Sequence, residues 1–253
     1  MITTGTSFNI FRLMKLIIIQ AVCLISLFAF SSYGQYLYVP GSLNMPLATN
    51  KGEIKGTASL GNGGVELQGS YCIDSHMVVC INGMYGSRWA SNTSGTVGCG
   101  YYTSFSSRGR FEIMGGGGYG VDFEWVEWLT YPGQLVEVNA KLPRVFVQAD
   151  LGYVKNHVEL GFGIRVSEIF YRGTVTTSLF GAHDSVISKT TNSLAGQELF
   201  LEPCIMVSFG GKNIKVHLSA GLSGMISGYE FRSYDILPTA SLGVTFNILR
   251  KRQ

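Results

Sequence analysis

The chain has 253 residues, of which 46% are hydrophobic and only 14% charged, and it contains 33 glycines, 15 phenylalanines and 13 tyrosines. This composition excludes a disordered protein, which needs low hydrophobicity and high net charge, and the glycine content argues against a helical bundle. The formal net charge is +3 and the basic residues are scattered, so no nucleic-acid partner is predicted.

The first 34 residues predict a cleaved secretory signal peptide. Arg12 and Lys15 precede an apolar run over 16–30, small residues follow, and the segment contains no Asp or Glu. A basic start, a short apolar core and a small-residue exit are the three parts of such a peptide. We place cleavage near Gly34 and export to the outer membrane, and we note that 1–13 has the character of an incorrectly assigned start.

Two other interpretations of the N-terminus are weaker. An uncleaved membrane helix needs about 20 apolar residues, and this run is shorter and is interrupted by Gln20. A lipoprotein signal needs small residues just before its cysteine, which Cys23 lacks. Without the signal, a membrane location requires a closed β-barrel, because only helices and barrels satisfy every backbone group in lipid. We therefore divide the mature chain into a periplasmic N-terminal lead, 35–51, and a barrel domain, 52–253.

Most of the barrel domain alternates apolar and polar residues at every second position. Between 144 and 153, for example, Val145, Val147 and Leu151 alternate with positions that include Gln148 and Asp150. Strict alternation over about ten residues predicts a strand with two chemically different faces. The predicted strands are 52–61, 64–73, 77–87, 95–105, 110–122, 143–154, 158–168, 198–209, 214–223 and 237–248.

The fold class predicted from these strands is an all-β, transmembrane, antiparallel up-and-down β-barrel of about ten strands, within bounds of roughly 8–12. A soluble β-sandwich is the alternative, since it alternates in the same way. Sandwich strands typically have about 5–6 residues, whereas a barrel strand needs roughly 9–11 to cross a membrane obliquely. The longer segments found here favour the barrel.

Tight and long connections alternate between these strands. Outer-membrane barrels have short periplasmic turns and longer outer loops, so the alternation also predicts the orientation. The tight turns are 74–76, 106–109, 155–157 and 210–213, and the long connections are 88–94, 123–142, 169–197 and 224–236.

This pattern resembles the small outer-membrane β-barrel proteins of Gram-negative, Bacteroidetes-like bacteria. The last predicted strand, with Ala240, Leu242, Val244, Phe246 and Ile248 on one face, looks like the terminal strand that the barrel assembly machinery reads in this class. It departs from the usual form by continuing to a basic tail rather than ending at an aromatic residue. The resemblance implies outer-membrane lipid and the barrel assembly machinery as partners.

Charged side chains of both signs face the lumen in this register. Buried charges persist when they are paired, so we expect salt bridges across the lumen, and inward glycines leave room for Phe146 and Met206 rather than for a wide pore. The inward charged or titratable residues are Glu66, Arg110, Glu112, Asp122, Arg144, Asp150, Glu159, Arg165, Glu202, Lys215 and His217. The candidate lumen polar network consists of Arg144, Asp150, Glu159, Arg165, Glu202, Lys215 and His217.

No catalytic, cofactor-binding or metal-binding residues are predicted. The glycines at 115–118 match a dinucleotide loop only superficially, because that loop needs a following helix and this segment continues a strand. His217 and Ser219 share the lumen face, but a hydrolase also needs an orienting acid and an oxyanion site. Cys72 and Cys80 face inward in diagonal positions, beyond comfortable disulfide reach.

The sequence therefore predicts a non-enzymatic outer-membrane barrel with a filled or narrow lumen. External loops over 123–142 and 169–197 would carry binding of an unknown ligand or a surface-structural role. These loops contain aromatic residues, among them Phe170 and Tyr171, which suit either recognition or anchoring at lipid headgroups. A narrow, porin-like solute channel and a membrane-embedded lipid-modifying enzyme are the alternatives.

Overall fold

The computed structural model describes residues 38–86, 92–127, 134–180, 186–228 and 236–249. All of these lie in the second of the two compact units into which the chain divides, Met1–Gly34 and Gln35–Gln253. The predicted signal peptide and the loop aromatics Trp89, Trp128 and Tyr131 lie outside the described residues. Within the described ranges no helix has the length and apolar character needed to span a membrane.

Ten antiparallel strands form a closed barrel in which each strand pairs with its neighbours in sequence. The ring is closed by the first and last strands, where Ile54 pairs with Ile248. The predicted all-β, antiparallel up-and-down barrel of about ten strands is therefore confirmed. The strands are β1 (Glu53–Gly61), β2 (Gly64–Cys72), β3 (Met77–Tyr85), β4 (Thr93–Ser104), β5 (Gly109–Glu127), β6 (Gln134–Lys155), β7 (Val158–Phe180), β8 (Val186–Gly210), β9 (Ile214–Gly228) and β10 (Ile236–Leu249).

The two faces of the wall have opposite chemistry, as the alternation predicted. On β6, Val147 is 58% exposed on the outside, whereas the adjacent Gln148 is 3% exposed and faces the lumen. The same contrast separates Phe162 and Ile164 from Arg165 on β7. An apolar outside around a polar inside is the reverse of a soluble globular protein.

The strands β5–β8 continue well beyond the predicted ends, so the expected long loops over 123–142 and 169–197 are wrong. Pairing runs up to Glu127 and Leu135 in one hairpin and up to Phe180 and Val186 in the other. We call the paired segments 122–127, 134–142, 170–180 and 186–197 the four-strand extension. The pattern of outward apolar residues could not reveal this extension, because polarity inverts there.

On β6 the inversion is plain: the inward residues of the extension, Val136, Val138 and Ala140, are apolar and buried, while the outward residues Asn139 and Lys141 are exposed. The extension therefore has a face of soluble-protein type. Tyr171, expected in an exposed loop, is 5% exposed and hydrogen-bonds Glu198.

The N-terminal lead lies inside the barrel over residues 38–49, which we call the plug. Tyr38 reaches Glu202 at the end of the lumen nearest the four-strand extension, and Thr49 bonds Glu53 at the end with the tight turns. Leu47 is fully buried between them. The expectation of a lead outside the barrel, 35–51, is wrong for these residues, because the polar wall offers partners to their backbone groups.

Candidate functional site

Carboxylates of the lumen wall accept hydrogen bonds from the plug backbone. Glu112 on β5 accepts from the N–H groups of Leu47, at 3.1 Å, and Ala48, at 2.6 Å. Glu53 on β1 accepts from the N–H of Thr49 at 2.8 Å. These carboxylates hold the half of the plug nearer the tight turns, which we call its lower half.

Donors of the wall bind the plug carbonyls in the same region. Lys55 Nζ donates to the carbonyl oxygen of Pro46 at 2.7 Å, and Gln148 Nε2 donates to that of Asn44 at 2.8 Å. Both donors are buried side chains of the wall. The wall thus recognises both kinds of backbone group, as a neighbouring strand would.

Ser42 is held in the upper half of the plug by two side chains of β2. Its N–H and hydroxyl both donate to Glu66, the N–H at 3.2 Å from Oε2. Its carbonyl accepts from Gln68 Nε2 at 3.1 Å. Glu66 and Glu112, expected to pair with lumen cations, therefore bond the plug instead.

Glycines of the wall form recesses for the plug side chains. A Cβ placed on Gly152 would lie 2.3 Å from Leu47 Cδ2, and one on Gly163 would lie 2.9 Å from Met45 Sδ. No side chain at these wall positions fits beside the plug as it lies. The sequence also predicted that inward glycines leave room for Phe146. Gly116 does so, because a Cβ at this position would lie 2.8 Å from the Phe146 ring.

The upper part of the predicted polar network centres on Glu202. Arg165 Nε lies 2.6 Å from Glu202 Oε2, which also accepts from the Ser167 hydroxyl at 2.7 Å. The Tyr38 hydroxyl donates to Glu202 Oε1 at 2.9 Å and accepts from Arg144 Nη1 at 3.0 Å. The plug's first described residue thus joins this ion pair.

The lower part of the network centres on Glu159. Lys215 Nζ lies 2.6 Å and Lys55 Nζ 3.2 Å from Glu159 Oε1, and Lys55 also lies 3.6 Å from Glu53. All four side chains are buried. The expected salt bridges are therefore present, but as two separate groups, one around Glu202 and one around Glu159.

Asp150 and His217 bond neutral neighbours rather than these two groups. Gln148 Nε2 lies 2.9 Å from Asp150 Oδ2, and the Ser208 hydroxyl lies 3.1 Å from His217 Nδ1. Ser208 is directly opposite His217 across the β8–β9 ladder.

The pairing of His217 with Ser219 considered from sequence does not occur. Ser219 instead contacts the Ser241 hydroxyl at 2.7 Å, because residues two apart on a strand are about 6.6 Å apart. His217 Nε2 has no hydrogen-bond partner among the described residues, so an orienting acid is not in place.

The buried cysteines are free. Cys80 lies opposite Ser70 and Cys72 opposite Val78, which is the diagonal arrangement predicted from sequence. In the described part of the chain, no group of three His, Cys, Asp or Glu residues is arranged to hold a metal ion.

Two of the gaps beside the plug that are lined by described residues have a volume of about 20 Å³ each. One is lined by Ser42, Glu66 and Arg165, among others, and the second by Glu159 and His217, among others. A cavity holds a water molecule once about 10–15 Å³ is available. Gaps of this size accommodate isolated water molecules beside the plug.

Sequence reasoning did not single out Lys55, Gln68, Gln148 or the plug itself. The three wall residues lie at inward positions of predicted strands. The alternation of inward and outward positions was therefore the signal that could have found them. The plug has no strand pattern, and no comparable signal marks it.

No protein-family model matches the chain, and no curated protein matches its sequence. Among solved structures, the attachment invasion locus protein Ail of Yersinia pestis is similar at 12% identity and a TM-score of 0.35, covering 78% of this chain and 99% of that one. The N-terminal β-barrel domain of Pseudomonas aeruginosa OprF is similar at 11% identity and a TM-score of 0.30, covering 79% and 100%. Neisserial surface protein A is similar at 12% identity and a TM-score of 0.30, covering 78% and 95%.

Replacing Glu112 tests whether the wall carboxylates hold the plug. Glu112→Ala leaves the N–H groups of Leu47 and Ala48 buried without their acceptor, so the free energy of unfolding in detergent should fall by about 1–3 kcal/mol. Urea unfolding followed by tryptophan fluorescence measures the change. Ser241→Ala, which removes a lumen hydroxyl bonded to Ser219, is the matched control and should change it less. An equal effect of the two variants would contradict a special role for Glu112.

Proposed function

We propose that this protein is a non-enzymatic outer-membrane barrel whose lumen is closed by its own plug and whose four-strand extension binds a ligand outside the cell. The observation that carries the proposal is the apolar outer face of a closed barrel around a charged, plugged lumen. The membrane location rests on the outer face, the closed lumen on the plug, and the ligand binding on the four-strand extension.

The membrane location is supported by the outer face. Large apolar side chains such as Leu60, Ile81 and Val97 are 64–67% exposed on neighbouring parts of the barrel. Contiguous apolar surface of this kind is unfavourable in water and suits a bilayer. Closure of β1 on β10 also removes unpaired strand edges, which lipid does not tolerate. With the predicted signal peptide, this supports export and insertion by the barrel assembly machinery.

The plug argues against free diffusion through the barrel as the structure shows it. The segment extends from Glu202 near one end of the lumen to Glu53 near the other, and it bonds the wall along this length. A porin needs a continuous water-filled path. A closed resting state therefore fits this geometry better than a pore.

The four-strand extension is the best-placed surface for a ligand. Its outward residues Asn139, Lys141 and Thr191 are polar and exposed, unlike the apolar belt below. Beyond the pairing of Glu198 with Gly228, β8 has only β7 as a neighbour among the described strands. Such an edge offers N–H and C=O groups to a partner strand.

Extraction and electrophoresis test the membrane location. Because the outer face is apolar and the hydrogen-bonded wall is closed, the mature protein should require detergent for release. It should also migrate faster in SDS gels unheated than after boiling. Release by carbonate or salt alone would contradict the proposed location and favour a secreted protein.

Single charges on the apolar belt test the register. Leu218→Arg places a cation near the middle of β9 on the outer face, where it costs roughly 2–4 kcal/mol in a bilayer. The heat-modifiable form should therefore be lost or strongly reduced, whereas Leu218→Met, which keeps the size without the charge, should retain it. Ile164→Arg and Ile164→Met repeat the comparison on β7. Equal assembly of the Arg and Met variants would show that these positions do not face lipid.

Shortening the extension tests its role in binding. Replacing 177–190 by Asn-Gly joins the paired Thr176 and Thr191 through a two-residue hairpin turn and leaves the barrel wall intact. Heat-modifiability should persist, while the shortened protein should fail to complement a strain that lacks the whole protein. The full-length gene in the same strain is the control. Full complementation by the shortened form would place the function in the lumen instead.

A further inference from the structure

We propose that the lumen is an exchangeable binding site for an extended, uncharged peptide, which the plug, residues 38–49, occupies in this structure, and that departure of the plug opens a cation-preferring channel. The inference rests on the proposed outer-membrane location. It adds a ligand class to the lumen and a second state to the barrel.

The plug is bound as a ligand rather than as a strand. Its backbone is held by side chains, such as Glu112, Gln148 and Lys55. Among the described residues, no backbone–backbone hydrogen bond links 38–49 to a strand of the wall. The plug can therefore leave without breaking the ladder that closes the barrel.

The covalent attachment of the plug to the wall also suits release. Its lower end continues through Lys51 and Gly52 into β1, and Gly52 has a φ of 78°, a conformation that glycine adopts readily. A short hinge thus joins the lower end of the plug to the wall.

The lumen wall is suited to water once the plug is gone. A permanent core is typically apolar, whereas the inward face of this wall consists largely of polar and charged side chains. These groups would exchange plug contacts for water rather than remain unpaired. The empty state is therefore compatible with the wall as it is built.

The charge of the wall predicts the selectivity of the empty lumen. Residues 38–50 carry no charged side chain, so their departure leaves the wall charges alone. In the described part of the wall, inward carboxylates outnumber inward basic groups by eight to five, and such an excess favours cations. The carboxylates are Glu53, Glu66, Glu112, Asp122, Asp150, Glu159, Glu198 and Glu202, and the basic groups are Lys55, Arg110, Arg144, Arg165 and Lys215.

The recesses in the wall make the site selective for sequence. Leu47 fills the space above Gly152, and Met45 shares the space beside Gly163 with the carboxylate of Asp150. Leu47 also has a φ of 46°, which is unfavourable for a residue with a Cβ and indicates that the site imposes the bound conformation. A peptide with the same residues in another order lacks this match.

Deletion of the plug followed by peptide addition tests the proposal. The full-length protein and a variant lacking 38–49, with its signal retained, are compared in planar bilayers after a heat-modifiability check. The full-length protein should be closed, and the deletion should conduct with a reversal potential that favours K⁺ over Cl⁻. A synthetic peptide of residues 38–50 should reversibly remove the current, whereas the reversed-order peptide should not.

The outcomes separate this inference from the proposed function. A full-length protein that is not heat-modifiable contradicts the outer-membrane barrel itself. A deletion protein that inserts but stays closed, that conducts without cation preference, or that the 38–50 peptide fails to block overturns the exchangeable site.

A variant of the intact chain covers the case in which the deletion does not fold. Gly152→Val places a side chain where Leu47 lies, because even a Cβ there would be 2.3 Å from Leu47 Cδ2. The variant should conduct, and adding Leu47→Ala should restore closure by making room. A Gly152→Val barrel that remains closed, or a double variant that conducts as much as the single one, overturns the proposal.

Discussion

The structure depends on the requirement that polar groups enclosed by a barrel find hydrogen-bond partners. An apolar outer face obliges the polar residues of each alternating strand to face inward, and burial of unpartnered charges is costly. The ion pairs around Glu202 and Glu159 satisfy part of the wall. Glu66 and Glu112 are satisfied by the backbone of residues 38–49, which is itself a chain of donors and acceptors that needs partners. The wall side chains therefore supply hydrogen-bond partners to the plug backbone, and the plug backbone supplies partners to the wall carboxylates.

The barrel was predictable because an apolar outer face and a polar inner face impose a period of two on each strand. Val147 and Gln148 have opposite environments, and the sequence carries that contrast along every strand. The prediction failed above Leu142 and Phe170, where the period persists but polarity inverts. Antiparallel pairing is made by backbone hydrogen bonds and does not depend on which face of the strand is polar. The strands therefore continue beyond the apolar belt of the outer face.

The charged residues of the candidate site could be predicted from the alternation of inward and outward positions, but their hydrogen-bond partners could not. Glu112 was expected in the lumen, yet its partners are backbone N–H groups of a segment without periodicity. Backbone contacts leave no residue-type signal at Leu47 or Ala48. Ion pairing was likewise foreseeable for Arg165 and Glu202, which lie opposite each other on β7 and β8, once the register was known.

Tyr38, the first described residue of the plug, lies at the level where polarity inverts. Below this level polar side chains of the wall bond the plug backbone, and above it the inward face carries an apolar cluster that includes Val138, Ile169 and Phe200. Tyr38 belongs to both regions, because its ring lies 5.0 Å from that of Phe200 while its hydroxyl bonds Glu202. Tyr38 is thus packed against the base of the four-strand extension. A change in that apolar cluster acts directly on the contact that holds Tyr38 in the lumen.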